Sequence, residues 1–266
     1  MVSHLGWTTW QVPQMRTVVA SLSPGGQSSC RTGRALQFYG RTKTTPYHVT
    51  IKPSSSPTFI PEPIHDLLVE HLDPELGPWS ALEYQTIAEE CREAGSRLLL
   101  SSVSPLLQLP EDLKGLKGLE ASHENVEKLF ADNKTRICLL DPKATEELNP
   151  RDADKFDGFL FGGILGDDPP RDRTSELRAK GFEGRRLGPV QMTTDTAVRV
   201  TRMVIQNQMP LQDIPYVDEP VLKFNKYEST TMPFRYVRDR NGEPLMPKGM
   251  RELIERDAEK GLDDLL

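Results

Sequence analysis

The chain has 266 residues, which is enough for one large domain or two modest ones. Apolar residues make up only 36% of it, so part of the chain is expected to pack no core. The 3 cysteines show no CxxC spacing or Cys/His cluster, which argues against structural zinc and favours a reducing, cytoplasmic setting. No apolar run approaches the ~20 residues of a membrane helix, and neither a metal nor a membrane partner is expected.

Charge is divided unevenly along the chain. Residues 1–61 contain no Asp or Glu and carry +6, from Arg16, Arg31, Arg34, Arg41, Lys43 and Lys52. The remaining residues hold 27 Lys and Arg against 39 Asp and Glu, a net −12. An acidic body argues against broad electrostatic binding to nucleic acid and suits a basic protein partner.

Residues 1–62 are predicted to be a disordered basic arm, because Ser, Thr, Gly and Pro dominate them and little periodicity survives. Arg and Ser without acidic residues also match an organelle transit peptide, although Pro13 and Pro24 interrupt any long amphipathic helix. A mistaken gene start is a third interpretation of the same residues.

A β-α-β unit opens the folded body, which is assigned to residues 63–210. Leu67–Val69 is typical of a short buried strand, and apolar residues at helical spacing predict a helix from Trp79 to Gly95. Arg97–Ser102 follows as a second strand. Strands joined by a helix pair in parallel, so an α/β domain with a parallel sheet is predicted.

The next segment, residues 103–121, is predicted to be irregular. A short helix over Ser122–Phe130 leads to a third strand, Ile137–Leu140, which Asp141-Pro142 ends because proline cannot donate to the ladder. A helical turn is predicted over Thr145–Leu148. The third strand extends the sheet, and its carboxyl end offers a turn at which a ligand can bind.

The stretch FDGFLFGGILGDDPPRDRT, residues 156–174, carries the densest functional pattern. Phe159–Phe161 is a buried strand, and Gly162-Gly163 ends it with a turn at which no Cβ hinders a ligand. Gly166 adds a second permissive position before Asp167-Asp168. Such a loop is typical of a ligand site at the carboxyl end of a parallel strand. A salt-bridged surface turn is the plainer alternative.

A helix ending at Gly181 precedes a short strand and a third turn, Gly184–Pro189. Thr193 or Thr194 is predicted to cap a long helix that runs to about Gln208. Beyond it the pattern changes, because prolines punctuate extended pieces.

Residues 211–266 are predicted to form a Pro-rich appendage wrapped over the body and not an independent domain. Asn241-Gly242 is a hairpin signal within it, and a final helix is predicted over Met250–Lys260. We refer to residues 211–266 as the appendage.

The three turns would form one crevice if their strands are neighbours in the sheet. Glycine backbone and short apolar side chains there suit a flat, mostly neutral ligand with an adenine ring. The sequence lacks the GxxxxGK[ST] motif of a triphosphate site, and its GGxxG spacing gives little support to a dinucleotide. Neither GxSxG nor a Ser-His-Asp arrangement can be assembled.

Five runs of the sequence together resemble one protein family: LLDPKAT, KFDGFLFGGILGDDPPRDRT, RRLGPVQMTTDTAVRVTRMVI, FNKYESTTMPFRYV and GLDDLL. Over about residues 66–266 the chain resembles the SPOUT methyltransferases. It is most similar to the fungal members that methylate an arginine of small-subunit ribosomal protein number three. The family is also labelled S-adenosylmethionine-dependent RNA methyltransferase. The resemblance implies a SPOUT fold with a C-terminal trefoil knot that holds S-adenosylmethionine, although general threading rules argue against knots.

The resemblance places the methyl donor between three loops. It assigns cofactor binding to Leu140, Asp141, Pro142, Phe161, Gly162, Gly163, Ile164, Leu165, Gly166, Leu187, Gly188, Gln191, Met192, Thr193 and Thr194. Backbone groups of these loops would grip adenine and ribose. The segment Asn225–Phe234 matches a lid over the donor, so the appendage is expected to cover the donor site.

Methylating a guanidinium requires carboxylates that align it and take a proton late, because its pKa exceeds ~12. The acidic candidates are Glu70, Asp73, Glu75, Glu83, Asp167 and Asp172. Glu70 and Asp167 are favoured as catalytic residues because each follows a strand end. Substrate binding is assigned to Glu70, His71, Trp79 and Asp172. Trp79 offers an aromatic face to a guanidinium, with a core tryptophan as the alternative.

Three functions stay open. The first is an S-adenosylmethionine-dependent protein-arginine methyltransferase acting on a basic ribosomal protein, which suits the −12 body. The second is a SPOUT methyltransferase of rRNA or tRNA, for which the arm would have to supply a basic groove. The third is a ribosome-assembly factor that binds the donor without turnover. The resemblance also implies a monomer, because the similar fungal members carry the same appendage over surface that pairs in other SPOUT enzymes.

Overall fold

Strands and helices alternate over residues 66–205, as the hydrophobic pattern predicts. The computed structural model describes residues 16–17, 65–163, 172, 174–226 and 228–263. The strands are β1 (Arg16–Thr17), β2 (Asp66–Glu70), β3 (Arg97–Ser101), β4 (Leu119–Ala121), β5 (Ile137–Leu140), β6 (Gly158–Gly162), β7 (Glu183–Arg185), β8 (Tyr216–Asp218), β9 (Val221–Lys223), β10 (Ser229–Thr231) and β11 (Arg235–Val237). The α-helices are α1 (Pro78–Glu93), α2 (Glu111–Lys114), α3 (Val126–Leu129), α4 (Asp152–Lys155), α5 (Thr174–Ala179), α6 (Thr194–Ile205) and α7 (Met250–Asp263), and 3₁₀ turns cover Lys134–Arg136 and Leu211–Asp213.

A six-stranded sheet in the order β4-β3-β2-β6-β5-β7 forms the centre of the fold, and every neighbouring pair in it is parallel. Its middle strands carry the runs Leu67–Val69 and Phe159–Phe161, which are buried, as in parallel strands covered on both faces. The predicted α/β class with a parallel sheet is confirmed. Because β6, β5 and β7 are adjacent, the turns that follow them lie at one edge of the sheet.

Two apolar layers cover the sheet. On one face Leu67 packs with Tyr84 of α1 and Val204 of α6. On the other face Leu68 packs with Leu177 of α5. Successive residues of a strand point to opposite faces, which is why Leu67 and Leu68 belong to different layers. Each fully buried side chain of this kind contributes about 1.5–3 kcal/mol, so these layers fix α1 and α6 against the sheet.

The appendage forms a third apolar cluster, which includes Tyr236 of β11 and packs against Trp79 of α1. Its strands pair antiparallel, β9 with β10 and β8 with β11, and β1 pairs with β10. The turn predicted at Asn241-Gly242 is present, since Gly242 has φ +93° and Arg238 forms an antiparallel bridge with Pro244.

The segment before the third predicted strand differs from expectation. Residues 119–121, predicted to be irregular, form the edge strand β4 beside β3. The helix predicted over Ser122–Phe130 is shortened to α3 because Asn125 caps it, its side-chain oxygen accepting a 3.0 Å hydrogen bond from the Lys128 amide.

The helical turn predicted over Thr145–Leu148 is wrong, because Glu147 instead forms a parallel bridge with Arg186. Residues 1–62, which are predicted to be disordered, lie outside the described residues except for β1. Residues 164–171 and 173, which include Gly166 and Asp167-Asp168, lie outside them as well. Among the helices of the described ranges, none is long and apolar enough to cross a membrane.

Candidate active site

A cavity of about 610 Å³ opens where the turns after β5, β6 and β7 meet the start of α6. Its size lies within the range of small-molecule sites in proteins. Its wall includes most of the residues assigned to cofactor binding: Leu140, Asp141, Pro142, Phe161, Gly162, Leu187, Gly188, Gln191, Met192 and Thr194. Three turns that are separated along the sequence therefore share one site.

Five residues assigned to cofactor binding are not placed at this wall. Three of them lie outside the described residues: Ile164, Leu165 and Gly166. Gly163 continues the sheet ladder, since its amide donates to the Glu70 carbonyl at 3.2 Å and an added Cβ would lie 3.3 Å from that oxygen. Thr193 is buried, with its hydroxyl 2.8 Å from that of Thr196. Packing alone accounts for Gly163 and Thr193.

Six further wall residues were not among those assigned to cofactor binding, although Arg186, Pro189 and Val190 lie in or beside the predicted third turn: Lys143, Thr174, Arg186, Pro189, Val190 and Ala197. Most of them directly adjoin an assigned residue, so the assignment located the turns correctly but included too few residues of each. Ala197 lies three residues after Thr194 on α6, a spacing that places both on one side of the helix. The helical period was the signal that would have found it.

A network of charges holds the rim of the cavity at Asp141. Arg178 Nη2 donates to it at 2.7 Å, and the Lys143 amide and Thr174 hydroxyl add bonds of 3.0 and 3.1 Å. Burial would raise the pKa of Asp141, but these donors outweigh it and hold the pKa below its ordinary value. Asp172 accepts from Arg178 and from Lys143 Nζ, and both bonds lower its pKa. The rim therefore carries two ionised carboxylates.

The start of α6 is capped from another helix. Thr193 is the N-cap residue, but its side chain makes no capping bond, so the predicted threonine cap is wrong in its chemistry. Oε1 of Glu83, on α1, accepts a 3.1 Å hydrogen bond from the Thr194 amide instead. Glu83 belongs to the buried stripe of α1 with Ser80 and Ile87, and that spacing was the signal for a buried carboxyl.

The geometry argues against the catalytic and substrate roles expected for Glu70. Its side chain is buried and accepts hydrogen bonds from the hydroxyls of Ser101 and Ser102, the latter at 2.7 Å. The Val126 amide donates a further bond at 3.0 Å. Glu70 thus ties β2 to the residues after β3 and to the start of α3, and a carboxylate so occupied has little capacity for a substrate.

Of the other described residues expected near the substrate, only Asp172 lines the cavity. His71 is buried, with Nδ1 hydrogen-bonded to the Tyr84 hydroxyl at 3.0 Å. Trp79 packs against the apolar cluster of the appendage. Asp172 lies at the cavity wall. Asp167 lies outside the described residues, so its catalytic role stays a prediction.

The appendage contacts a loop of the cavity through β11, although none of its described residues lines the cavity itself. The Arg235 amide donates to the Gln191 carbonyl at 2.8 Å, and Arg235 forms a parallel bridge with Met192. Gln191 and Met192 both line the cavity, whereas no described residue of Asn225–Phe234 does. Arg235 is held in turn by Asp218, with bonds of 2.6 and 2.8 Å.

Comparisons with known proteins bear on this site. The family model described as Protein arginine N-methyltransferase SFM1-like matches residues 66–261. Protein arginine N-methyltransferase SFM1 of Saccharomyces cerevisiae (strain ATCC 204508 / S288c) is 44% identical over 215 residues, covering 75% of this chain and 98% of that protein. The crystal structure of yeast SFM1 complexed with SAM aligns with a TM-score of 0.67 at 43% identity, covering 73% of this chain and 91% of the other. The complex with SAH gives 0.64 at 44% identity, covering 71% and 94%.

Fold and site define an α/β protein with a small-molecule cavity at the carboxyl ends of parallel strands. Within that class, the family match extends over most of the described body and the yeast relative is matched over nearly its whole length. The chain belongs to the SFM1-like protein arginine N-methyltransferase family. The resemblance drawn from the five sequence runs is confirmed.

The cavity wall suits S-adenosylmethionine, which is bound in one of those relatives. Phe161, Leu187 and Met192 would offer apolar surface to the adenine ring. The carboxylates of Asp141 and Asp172 stand at the wall, paired with Arg178 and Lys143, and their remaining oxygen lone pairs can accept hydrogen bonds from polar groups of the ligand. The residues that line the cavity therefore fit S-adenosylmethionine, the cofactor that the family implies.

Proposed function

We propose that this chain is an S-adenosylmethionine-dependent protein-arginine N-methyltransferase and that its methyl donor occupies the cavity between β5, β6, β7 and α6. The observation that carries the proposal is the meeting of three distant turns, each inside the family-matched residues 66–261, at one cavity of about 610 Å³. The yeast relative bears the name of this activity and was crystallised with SAM, SAH and MTA.

When bound, the donor supplies a methyl group activated by its positively charged sulfur. The chain contributes position and charge, which account for much of the acceleration in such a transfer. Backbone at Gly162, Leu187 and Met192 would hold the nucleoside. Asp141 and Asp172, kept ionised by Arg178, would accept hydrogen bonds from its polar groups.

The substrate that we propose is a small-subunit ribosomal protein, specifically number three. The net −12 of residues 62–266 supports a basic protein over RNA, since a polyanion would be repelled by the same charge. An RNA substrate would need the basic arm to outweigh that body. We therefore keep the protein as the proposed substrate and treat RNA as an outcome of the test.

Several finer features belong to the same proposal. A SPOUT fold with a C-terminal trefoil knot is part of the proposal because the family match implies it, and the six-stranded parallel sheet is compatible with that fold. The contact of β11 with Gln191 supports an appendage that covers the donor site. That covering in turn favours a monomer, and a cytoplasmic location would suit a ribosomal substrate.

Methyl transfer from isotopically labelled S-adenosylmethionine tests the proposal. The purified chain is incubated in parallel with small-subunit ribosomal proteins, rRNA and tRNA, and label is located by mass spectrometry. We expect label on an arginine of one ribosomal protein. Label confined to RNA would replace the substrate class, and donor binding without any label would favour an assembly factor. Light scattering of the same sample checks for a monomer.

A further inference from the structure

Two carboxyl side chains lie side by side behind the wall of the cavity. Glu83 of α1 is 1% exposed and Asp195 of α6 is 2% exposed. Asp195 directly follows Thr194, which lines the cavity and whose amide donates to Glu83 Oε1 at 3.1 Å. The pair is therefore one residue removed from the candidate donor site.

The charges around this pair do not balance among the described side chains. Arg202 and Arg199 both donate to Glu90, at 3.0 and 2.6 Å, and Arg199 Nη1 lies 3.4 Å from Asp195. Two guanidiniums thus face three carboxyls, those of Glu83, Glu90 and Asp195. One carboxyl of the group needs either a proton or a further cation, because an unpaired buried charge is strongly unfavourable.

Three polar atoms of the group have no hydrogen-bond partner within the described part of the chain: Glu83 Oε2, Asp195 Oδ1 and the Tyr236 hydroxyl. Tyr236 is fully buried, on β11. Strand β11 packs against α6, which carries Asp195, and burial first, then the charges of Asp195 and Glu83, raise the pKa of Tyr236. Buried polar atoms are rarely left without a hydrogen-bond partner, so these three atoms mark a place where a ligand with donors could bind.

The surroundings of Glu83 and Asp195 favour a protonated carboxyl when no ligand is bound. Burial and then the neighbouring Asp195 raise the pKa of Glu83, with hydrogen bonds from Trp79 and the Thr194 amide opposing them. Burial also raises the pKa of Asp195, against the charge of Arg199. A proton shared between the two carboxyls would remove the surplus negative charge of the group.

We propose that Glu83, Asp195 and the Tyr236 hydroxyl form a guanidinium subsite that holds a shared proton at rest and exchanges it for the side chain of the acceptor arginine. The proposal rests on the proposed function, since it names where that substrate binds. A guanidinium presents planar donors that match carboxylate oxygens. Trp79, one turn before Glu83 on α1, would add an aromatic face.

Access to the subsite requires β11 to separate from α1 and α6. Tyr236 is carried by β11, and its neighbour Arg235 bonds to the cavity loop at Gln191. Arg199 is also tied to the appendage, by a 3.3 Å bond from Nη1 to the Leu245 carbonyl. The appendage therefore closes the subsite in this structure, and its displacement would open the subsite and the cavity loop together.

Calorimetry on the full chain without methyl donor tests the subsite, with N-acetyl-arginine amide as the probe and the neutral N-acetyl-citrulline amide as its matched control. Titrations run just below neutral pH in two buffers of different ionisation enthalpy, which reveals proton release. We expect the arginine amide to bind with release of a proton and the citrulline amide not to bind.

Three variants assign the binding to these residues. Glu83→Gln and Asp195→Asn should each weaken binding at least about tenfold, the loss expected for a charged hydrogen bond. Glu83→Gln should also abolish proton release. Tyr236→Phe, which keeps the packing, should weaken binding less. Glu93→Gln, an exposed carboxyl on the same helix with 72% of its side chain accessible, should leave binding unchanged.

Binding that is equal in wild type and both carboxyl variants overturns the subsite, as does binding without proton release or no binding at the highest soluble concentration. The outcome is separable from the proposed function. If Glu83→Gln methylates ribosomal protein at the wild-type rate, the enzyme stands and the subsite falls. If the arginine amide binds with proton release but no arginine is ever methylated, the subsite stands and the proposed enzyme activity falls.

Discussion

The amide of Thr194 donates a 3.1 Å hydrogen bond to Oε1 of Glu83, a residue 111 positions earlier in the chain. The N-cap residue Thr193 makes no side-chain capping bond, so α1 supplies through Glu83 the acceptor that α6 lacks. Thr194 also lines the cavity. One buried carboxyl thus links the packing of α1 to the shape of the candidate donor site.

Replacing Glu83 separates this capping role from its charge. Glu83→Ala removes the acceptor of the Thr194 amide and should lower the free energy of unfolding by about 1–3 kcal/mol. Glu83→Gln keeps an oxygen in the same place and should cost less. Urea unfolding measures both, with the exposed Glu93→Ala as the control that should show no change. Equal losses for Gln and Ala would show that the hydrogen bond to Thr194 is unimportant.

The pH dependence of stability should differ between wild type and Glu83→Gln. Burial and Asp195 raise the pKa of Glu83 above its ordinary 4.5. An acid with a higher pKa in the folded state contributes fully below its ordinary value, and the contribution is lost as pH rises through the folded value. Wild type should therefore lose stability relative to the non-titrating variant as pH increases above 4.5. Denaturant unfolding at a series of pH values measures the difference, which a pH-independent gap would contradict.

Asp141 should show the opposite dependence. Its hydrogen bonds from Arg178, Lys143 and Thr174 outweigh burial and hold its pKa below the ordinary 3.8. The stability it provides is present above that value and is lost as pH falls through the lower folded value. Asp141→Asn should thus be less stable than wild type at neutral pH, and the gap should shrink in acid. A gap of the same size at neutral and at acid pH would argue that packing and not charge is responsible, and exposed Asp112→Asn serves as the control.

Gly188 and Gly181 form a matched pair for testing the cavity. Both have positive φ, +94° and +82°, so alanine at either position should cost about 1–2 kcal/mol of stability. Gly188 lines the cavity, and Gly181 is absent from its described wall. Gly188→Ala should weaken binding of S-adenosylhomocysteine about tenfold in calorimetry, since a loss of about 1.4 kcal/mol gives that factor. Gly181→Ala should bind normally; equal weakening in both would point to a general loss of folding.

The central strands and the three turns could be predicted because their signals are local. Leu67–Val69 and Phe159–Phe161 are continuous apolar runs, as strands buried on both faces must be. The breaks at Pro142, Gly162 and Gly188 follow from the special backbone of proline and glycine. Their convergence needed only the adjacency of β5, β6 and β7.

What the sequence did not reveal depends on contacts between distant residues. Glu70 occupies a strand end, as a catalytic residue would, but Ser101, Ser102 and the Val126 amide engage its carboxylate. Glu83 lay among six acidic candidates, and nothing local indicated that it caps α6 or adjoins Asp195. Strand β4 was missed because a three-residue edge strand that is largely exposed carries no alternation to detect.

A crystal structure of the chain with S-adenosylhomocysteine tests the central claim most directly. We predict that the nucleoside lies in the cavity, with its polar edges on the backbone of Leu187 and Met192 and its ring beside Phe161. Density for the ligand at any other surface, with this cavity unchanged, would contradict the account.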